Sequence, residues 1–207
     1  MKKYELTAEF IEQWGKKLFR IKALISFGSV EAGELGGYVE KEDNLAQDGN
    51  AWVYGNARVY GNARVYGNAE VYGNARVYGN AEVYGNARVH GNAEVCDDAW
   101  VHGNAWVYGN ARVYGNAEVC GNADYLLIGR IGSRFSFTTF FKNKDKGITV
   151  SCGCFLGTIA EFRAKVTDTH GNNKHAKMYN LAADMAELQI LGEEHFDKLN
   201  TNKSEPF

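Results

Sequence analysis

Four sets of residues in this chain of 207 have types and spacings that suit chemistry or binding. His90 and His102 replace Tyr in a repeating outward position, where an imidazole can work as a general base. Cys152 and Cys154, followed by His170 and His175, carry the sulfur and nitrogen atoms that hold zinc. Arg130, Arg134, Lys142, Lys144 and Lys146 gather positive charge among Phe135, Phe137, Phe140 and Phe141. That mixture can grip a single strand of nucleic acid by stacking and charge. Finally, Tyr54, Tyr60, Tyr66, Tyr72, Tyr78, Tyr84, Tyr108 and Tyr114, with Trp52, Trp100 and Trp106, are of the types that dominate binding hot spots.

What positions these side chains is a repeat. From Gly49 to Asp124 the chain runs in six-residue units, Gly-Asn-Ala-x-Val-Tyr, with one lapse at Asp97-Asp98. Val recurs every six residues from Val53 to Val119, always two residues after an Ala. Within a unit Ala points in, x out, Val in and Tyr out, so each unit is a short strand with one buried face. Gly and Asn suit the positive φ of a tight corner. A helix is excluded by the six-residue period and by a Gly in every unit. The units must therefore wind into a β-helix.

The x positions set the number of sides. If residues 18 apart stack, Arg64 meets Glu82, Glu70 meets Arg88, and Glu94 meets both Arg76 and Arg112; only Arg58 over Arg76 is a like pair. Spacings of 12 or 24 give mostly like pairs. Opposite charges on neighbouring strands stabilise and like charges oppose, so three sides are favoured. Thirteen units then make a little over four coils, a prism about 20 Å tall at ~4.8 Å per coil.

On three sides, His90, Cys96 and His102 fall on different faces and cannot meet within one chain. Each His instead shares a column with Tyr, as in Tyr72, His90 and Tyr108, and stacks there as another flat ring. No catalytic residue is assigned. The Cys-x-Cys spacing places its thiols on opposite faces of a strand, so no metal site is expected. The Ile131-Gly132-Ser133-Arg134 segment precedes a strand and lacks the helix N-terminus of a phosphate loop. The basic hairpin reads as a solvated strand face in preference to a nucleic-acid grip. The outward Tyr and Trp residues, with Arg130 and Arg134, remain as a surface for a protein partner, for self-association, or for both.

The flanks should close the ends of the prism. Residues 1–48 are expected as a cap, with a short helix over Thr7–Lys17, a strand near Phe19–Ile25, and Asn44-Leu45 opening an irregular first coil. Residues 125–192 read as a hairpin, Phe135–Phe141 against Ile148–Cys154 around a turn at Asn143–Gly147, then two helices. Thr158 to Glu161 is a capping box for the first. The second runs from about Lys174 to Leu191, with Tyr179, Ala182, Met185 and Leu188 as candidate core. Residues 193–207 are expected as a flexible tail.

The Val-to-Ala spacing, Val53 with Ala57 through Val119 with Ala123, resembles the left-handed β-helix or hexapeptide-repeat superfamily. The wording of the unit is most similar to its YdcK-like members. The resemblance implies the left hand. It also implies an alternative function, since enzymes of this superfamily are commonly acyl-CoA-dependent acyltransferases that trimerise and use a His. The array has no inserted loop to cover an acyl donor, which disfavours that alternative. Ile131 to Arg134, Thr138 to Phe141, Val150 to Thr158 and the lead-in Leu18 to Gly37 resemble phage and prophage proteins of unknown function. That implies a mobile-element origin and a host macromolecule, such as a defence component, as the bound or blocked partner.

Composition sets outer limits. A formal charge of −2 gives no bulk attraction to nucleic acid or an anionic membrane. The acids among the first fourteen residues do not suit a signal peptide, and no run approaches a membrane span. Four cysteines make no disulfide framework, so the expected setting is the reducing cytoplasm, the host's if phage-encoded. The overall expectation is a mainly β, three-sided, left-handed parallel β-helix with a small α+β C-terminal module, without cofactor, acting by binding.

Overall fold

The computed structural model describes residues 1–194, and the tail expected over 193–207 lies outside them from residue 195 on. The chain divides into two compact units, Met1–Asn122 and a second beginning at Ala123.

The first unit opens with β1 (Tyr4–Gln13), β2 (Lys16–Ala23) and β3 (Leu35–Val39). Twelve two-residue strands follow, β4 (Trp52–Val53) to β15 (Glu118–Val119), one per hexapeptide. Together with β3 they stack as three parallel faces, β3-β5-β8-β11-β14, β4-β7-β10-β13 and β6-β9-β12-β15. Neighbours on a face are 18 residues apart, as in Arg64↔Glu82, Arg88↔Glu70 and Glu94↔Arg112. The solenoid is three-sided, as the charge pattern requires.

Its interior is a narrow column of like on like. Every Ala of the array from Ala51 to Ala117 and every Val from Val53 to Val119 is fully buried. Each buried Val contributes about 1.5 kcal/mol of apolar transfer free energy. At the corners the division of labour differs from that expected. The glycines take the positive φ, near 70°, and no array Asn does. The Asn side chains instead form amide ladders along the edges. Asn50 donates to Asn68, Asn68 to Asn86 and Asn86 to Asn104, each at 3.1 Å. A second ladder runs from Asn62 through Asn80 to Asp98. At the lapse, Asp97 occupies the glycine position at φ 57° and accepts from the Gly115 amide at 3.2 Å.

The helix expected over Thr7–Lys17 is a correction: that segment lies in the antiparallel β1–β2 hairpin. The hairpin turns on Trp14 and Gly15, both at positive φ, as a tight two-residue loop demands. With β3 it extends one face of the solenoid. The residues before the array close its first coil. Lys3 Nζ donates to the carbonyls of Asp48 (3.1 Å) and Ala51 (3.0 Å). Tyr4 Oη donates to those of Glu42 and Leu45, and Asn44 Nδ2 to those of Gly61 and Ala63. Backbone groups that would otherwise form an open edge are thereby satisfied.

In the second unit, β16 (Tyr125–Ile131), β17 (Ser136–Lys142), β18 (Ile148–Cys152) and β19 (Phe155–Thr158) form an antiparallel sheet in that order. Two helices follow, α1 (Ile159–His170) and α2 (Lys174–Leu191). Asn143 Oδ1 ties the β17–β18 turn by accepting from Gly147 (2.9 Å) and Asp145 (3.1 Å). The capping box is formed: Thr158 Oγ1 accepts from the Glu161 amide and Glu161 Oε2 from the Thr158 amide. The buried face of α2 keeps Tyr179 and Ala182 but not Met185 or Leu188, which are exposed. Ala176, Ala183 and Ala186 occupy that core instead, because small side chains let a helix approach its neighbours closely. No described helix is long and apolar enough to cross a membrane.

Candidate functional site

The outward positions of the solenoid form ring columns, and their geometry is regular. Tyr60 stacks on Tyr78 (5.0 Å, 3°), Tyr66 on Tyr84 (4.8 Å, 3°) and Tyr84 on His102 (4.8 Å, 6°). His90 lies between Tyr72 (4.9 Å, 2°) and Tyr108 (5.5 Å, 18°). Tyr54 meets Tyr72 edge-on and pairs with Ser29 at 3.1 Å. The 18-residue period brings the rings into register, and stacking adds to the strand pairing beneath them.

Beside the rings run the charges. Arg76 bonds Glu94, and Arg88 Nε lies 2.9 Å from Glu70. Tyr66 Oη donates to Glu82 at 2.7 Å. The like pair Arg58 and Arg76 is relieved by the cap. Arg58 donates to Gln13 at 2.5 Å, and the Arg76 guanidinium lies 5.8 Å from the Trp14 ring. Burial raises the phenol of Tyr60 to about 12 and pushes Tyr66 and Tyr78 further up.

Two of the residues expected at an open binding surface lie beneath the cap. Trp52 is fully buried, with Tyr4 (6.0 Å) and Phe27 (5.4 Å) edge-on against it. Tyr60 is buried with Leu18 and Tyr38, and Trp14 packs edge-on against it. An alternating pattern shows which way a side chain points, and nothing in it says what later covers it. Tyr54, Tyr66, Tyr72, Tyr78, Tyr84 and Tyr114 are half-buried. Trp100, Trp106 and Tyr108 are exposed, by 37%, 43% and 49%. Trp106 and Tyr108 share one face, where the Arg88 guanidinium lies 5.1 Å from the Trp106 ring.

The histidines differ from each other. Burial lowers the pKa of His90, and both faces of its ring are covered. His102 Nε2 is buried without a hydrogen bond, 3.7 Å from Glu118 Oε1. Cys96 is buried and its thiol is pushed up to about 11 by burial.

In the second unit the basic hairpin does not present interleaved rings. Phe140 and Phe141 are buried, Lys142 pairs with Asp124 at 3.2 Å, and only Phe135 stands well exposed. Arg130 is exposed on β16, while Arg134 lines a groove with Cys152, Cys154, His170 and Tyr179. The His170 and His175 rings lie 5.8 Å apart, and among the described residues no three metal-ligating side chains converge.

Comparison with known proteins places the repeats. The YdcK beta-solenoid repeat model matches residues 51–67, 57–73, 69–83 and 105–121. A protein of Escherichia coli (strain K12) named "uncharacterized acetyltransferase YdcK" is 40% identical over 62 residues, 26% of this chain. The match spans 19% of that relative's length. The array is a β-solenoid whose repeats are similar to those of the YdcK type.

Proposed function

We propose that this YdcK-like β-solenoid is a non-catalytic interaction scaffold that binds a macromolecular partner through its uncapped aromatic face. The observation that carries the reading is the pairing of Trp106 and Tyr108 on one face, both exposed, beside Arg88. Tyr, Trp and Arg are the residues that concentrate binding energy when a partner dries them. The half-buried rings of Tyr72 and His90 continue the same flat strip. The phage-like flanks make a host macromolecule, a defence component for example, the partner to seek. The reading is tested by capture from host lysate with the wild type, with Trp106→Ala/Tyr108→Ala and with Arg130→Ala. A partner lost only with the aromatic variant supports it. A partner retained by all three removes the face from the account.

A second reading, an acyltransferase, is favoured by the relative's printed name and by the His102–Glu118 pair. A carboxylate beside an imidazole can orient the ring, as a general base requires. Calorimetric titration with acetyl-CoA separates the two: saturable binding, weakened in His102→Gln, supports the enzyme and sinks the scaffold.

A further inference from the structure

The groove lined by Arg134 has no part in the reading above and belongs wholly to the second unit. It encloses about 230 Å³ between the tip of the β16–β17 hairpin, the β18–β19 turn and the two helices. Arg134 and Lys165 line it, with the hydroxyls of Ser133, Ser136 and Thr169, and no Asp or Glu does. In a chain of formal charge −2, a cationic recess without a carboxylate is a local departure. Its floor is aromatic: Phe162 lies 5.6 Å from both Phe155 and Tyr179, and His170 stacks on Tyr179 at 5.7 Å.

The hairpin tip is held over this floor by contact. Gly132 has a φ of +74°, and a Cβ there would fall 1.8 Å from the Tyr179 hydroxyl, so only glycine lets the strand sit on that ring. Burial, with the Cys152 thiol beside it, pushes the Tyr179 phenol up to about 12, and the charge of Arg134, two residues after Gly132, opposes the rise. Phe135 follows at φ 48° and 71% exposed, a conformation that a bulky side chain adopts only where its surroundings impose it. Among the described residues Arg134 has no carboxylate partner. Lys165 pairs with Asp168 at 3.0 Å, but both are largely exposed and the contact is weak.

We infer that this groove binds a small aromatic molecule bearing an oxyanion, a phosphate or a carboxylate, with its ring against the partly exposed Phe155 and His170. The guanidinium of Arg134 offers paired donors that match two oxygens of such a group, and the Lys165 ammonium adds charge. The hydroxyls take the remaining lone pairs. The aromatic lining, whose rings meet at 53° and 88°, favours an aromatic body over an aliphatic one.

Phenyl phosphate and benzoate titrated into the full chain by calorimetry test this, with inorganic phosphate and phenol as half-ligands. Saturable binding of an aromatic anion is expected, tighter than about 1 mM. Arg134→Ala and Lys165→Ala should each weaken it about tenfold, and Arg134→Lys by less than Arg134→Ala, because charge survives while the fork is lost. Cys154 in the wall provides a local readout: the bound probe should slow its alkylation by iodoacetamide. Circular dichroism of each variant separates lost binding from lost folding. The inference fails if neither aromatic anion saturates, or if inorganic phosphate binds as tightly as phenyl phosphate. It also fails if folded Arg134→Ala binds like the wild type, or if Cys154 stays unprotected. None of these results bears on the solenoid face.

Discussion

Alanine at Gly55 and at Gly91 should destabilise the solenoid by different amounts, although both occupy the same corner two coils apart. Gly55 has φ +58° and Gly91 φ +73°, so each substitution places a side chain in the left-handed region. That costs roughly 1–2 kcal/mol, offset by up to about 1 kcal/mol because alanine narrows the unfolded ensemble. The surroundings then separate them. A Cβ on Gly55 meets nothing within 4 Å, whereas one on Gly91 lies 3.0 Å from both the amide nitrogen and the carbonyl oxygen of Gly109. Those are backbone atoms of the next coil, fixed by the strand pairing beneath, and they can yield only by opening the stack. Overpacking of this kind adds about 1–3 kcal/mol. The expected losses are thus about 1 kcal/mol for Gly55→Ala and about 3 kcal/mol for Gly91→Ala. Urea unfolding followed by tryptophan fluorescence reads them as midpoint shifts differing by roughly 1 M, for a slope of about 2 kcal/mol per molar. Asp97, at φ 57°, shows that a side chain is tolerated at a stacked corner where it gains a hydrogen bond in return, here from the Gly115 amide of the next coil; alanine can make no such bond. Equal midpoint shifts for the two variants would refute the claim that coil-to-coil contact fixes the corner glycines.

Further outcomes follow from other contacts. His90 has its pKa lowered by burial, so between its folded and unfolded pKa values the unfolded chain binds more protons and stability falls as the solution is acidified. His90→Tyr should abolish that share of the loss, its advantage over the wild type growing as pH drops from 7.5 to 5 in parallel urea titrations. Trp52→Ala should cost about 3–5 kcal/mol because the ring is fully buried, and Trp106→Ala about 1 kcal/mol or less, in the same unfolding assay. Arg163 donates to Asp184 and Glu187 at 2.7 Å each, and Glu187 is buried. Arg163→Met should destabilise by about 2 kcal/mol, and adding Glu187→Gln should restore part of it, as thermal melts of the pair would show.

The sequence is most transparent where one physical requirement repeats. The 18-residue stacking of Arg76 with Glu94 and of Glu70 with Arg88 is legible because like charges on neighbouring strands are costly. The Thr158–Glu161 box is equally plain, since both partners lie within one turn. The β1–β2 hairpin is hidden for two reasons. A bulge between Leu6 and Phe10 breaks the alternation, leaving Phe10, Ile11 and Trp14 at a helix-like spacing. The loop is Trp14-Gly15, without the Asn-Gly pair that advertises such a turn. Burial of Trp52 and Tyr60 was illegible for a third reason: their covers, Tyr4, Phe27 and Trp14, come from a segment whose path the array does not dictate. The groove at Arg134 depends on Gly132 against Tyr179, far apart in sequence, and only three dimensions bring them together.

The closing of the first coil by Lys3, Tyr4 and Asn44 has a consequence for how the chain finds its register. Near-identical hexapeptides can pair one coil out of step and still bury Ala on Ala and Val on Val, so the interior alone discriminates poorly among slipped windings. Asn44 bonds carbonyls of a repeated corner, but Tyr4 and Lys3 also recognise those of Glu42, Leu45 and Asp48, which lie outside the repeats and have no equivalent further along. They act as a starting gauge from which coils are counted off in one direction. Because each coil then contacts only its neighbours, excision of one whole 18-residue turn from the middle of the array should leave a shorter solenoid wound in the same phase. Removal of a single hexapeptide would rotate every later face by a third of a turn and carry Trp106 and Tyr108 to a different side.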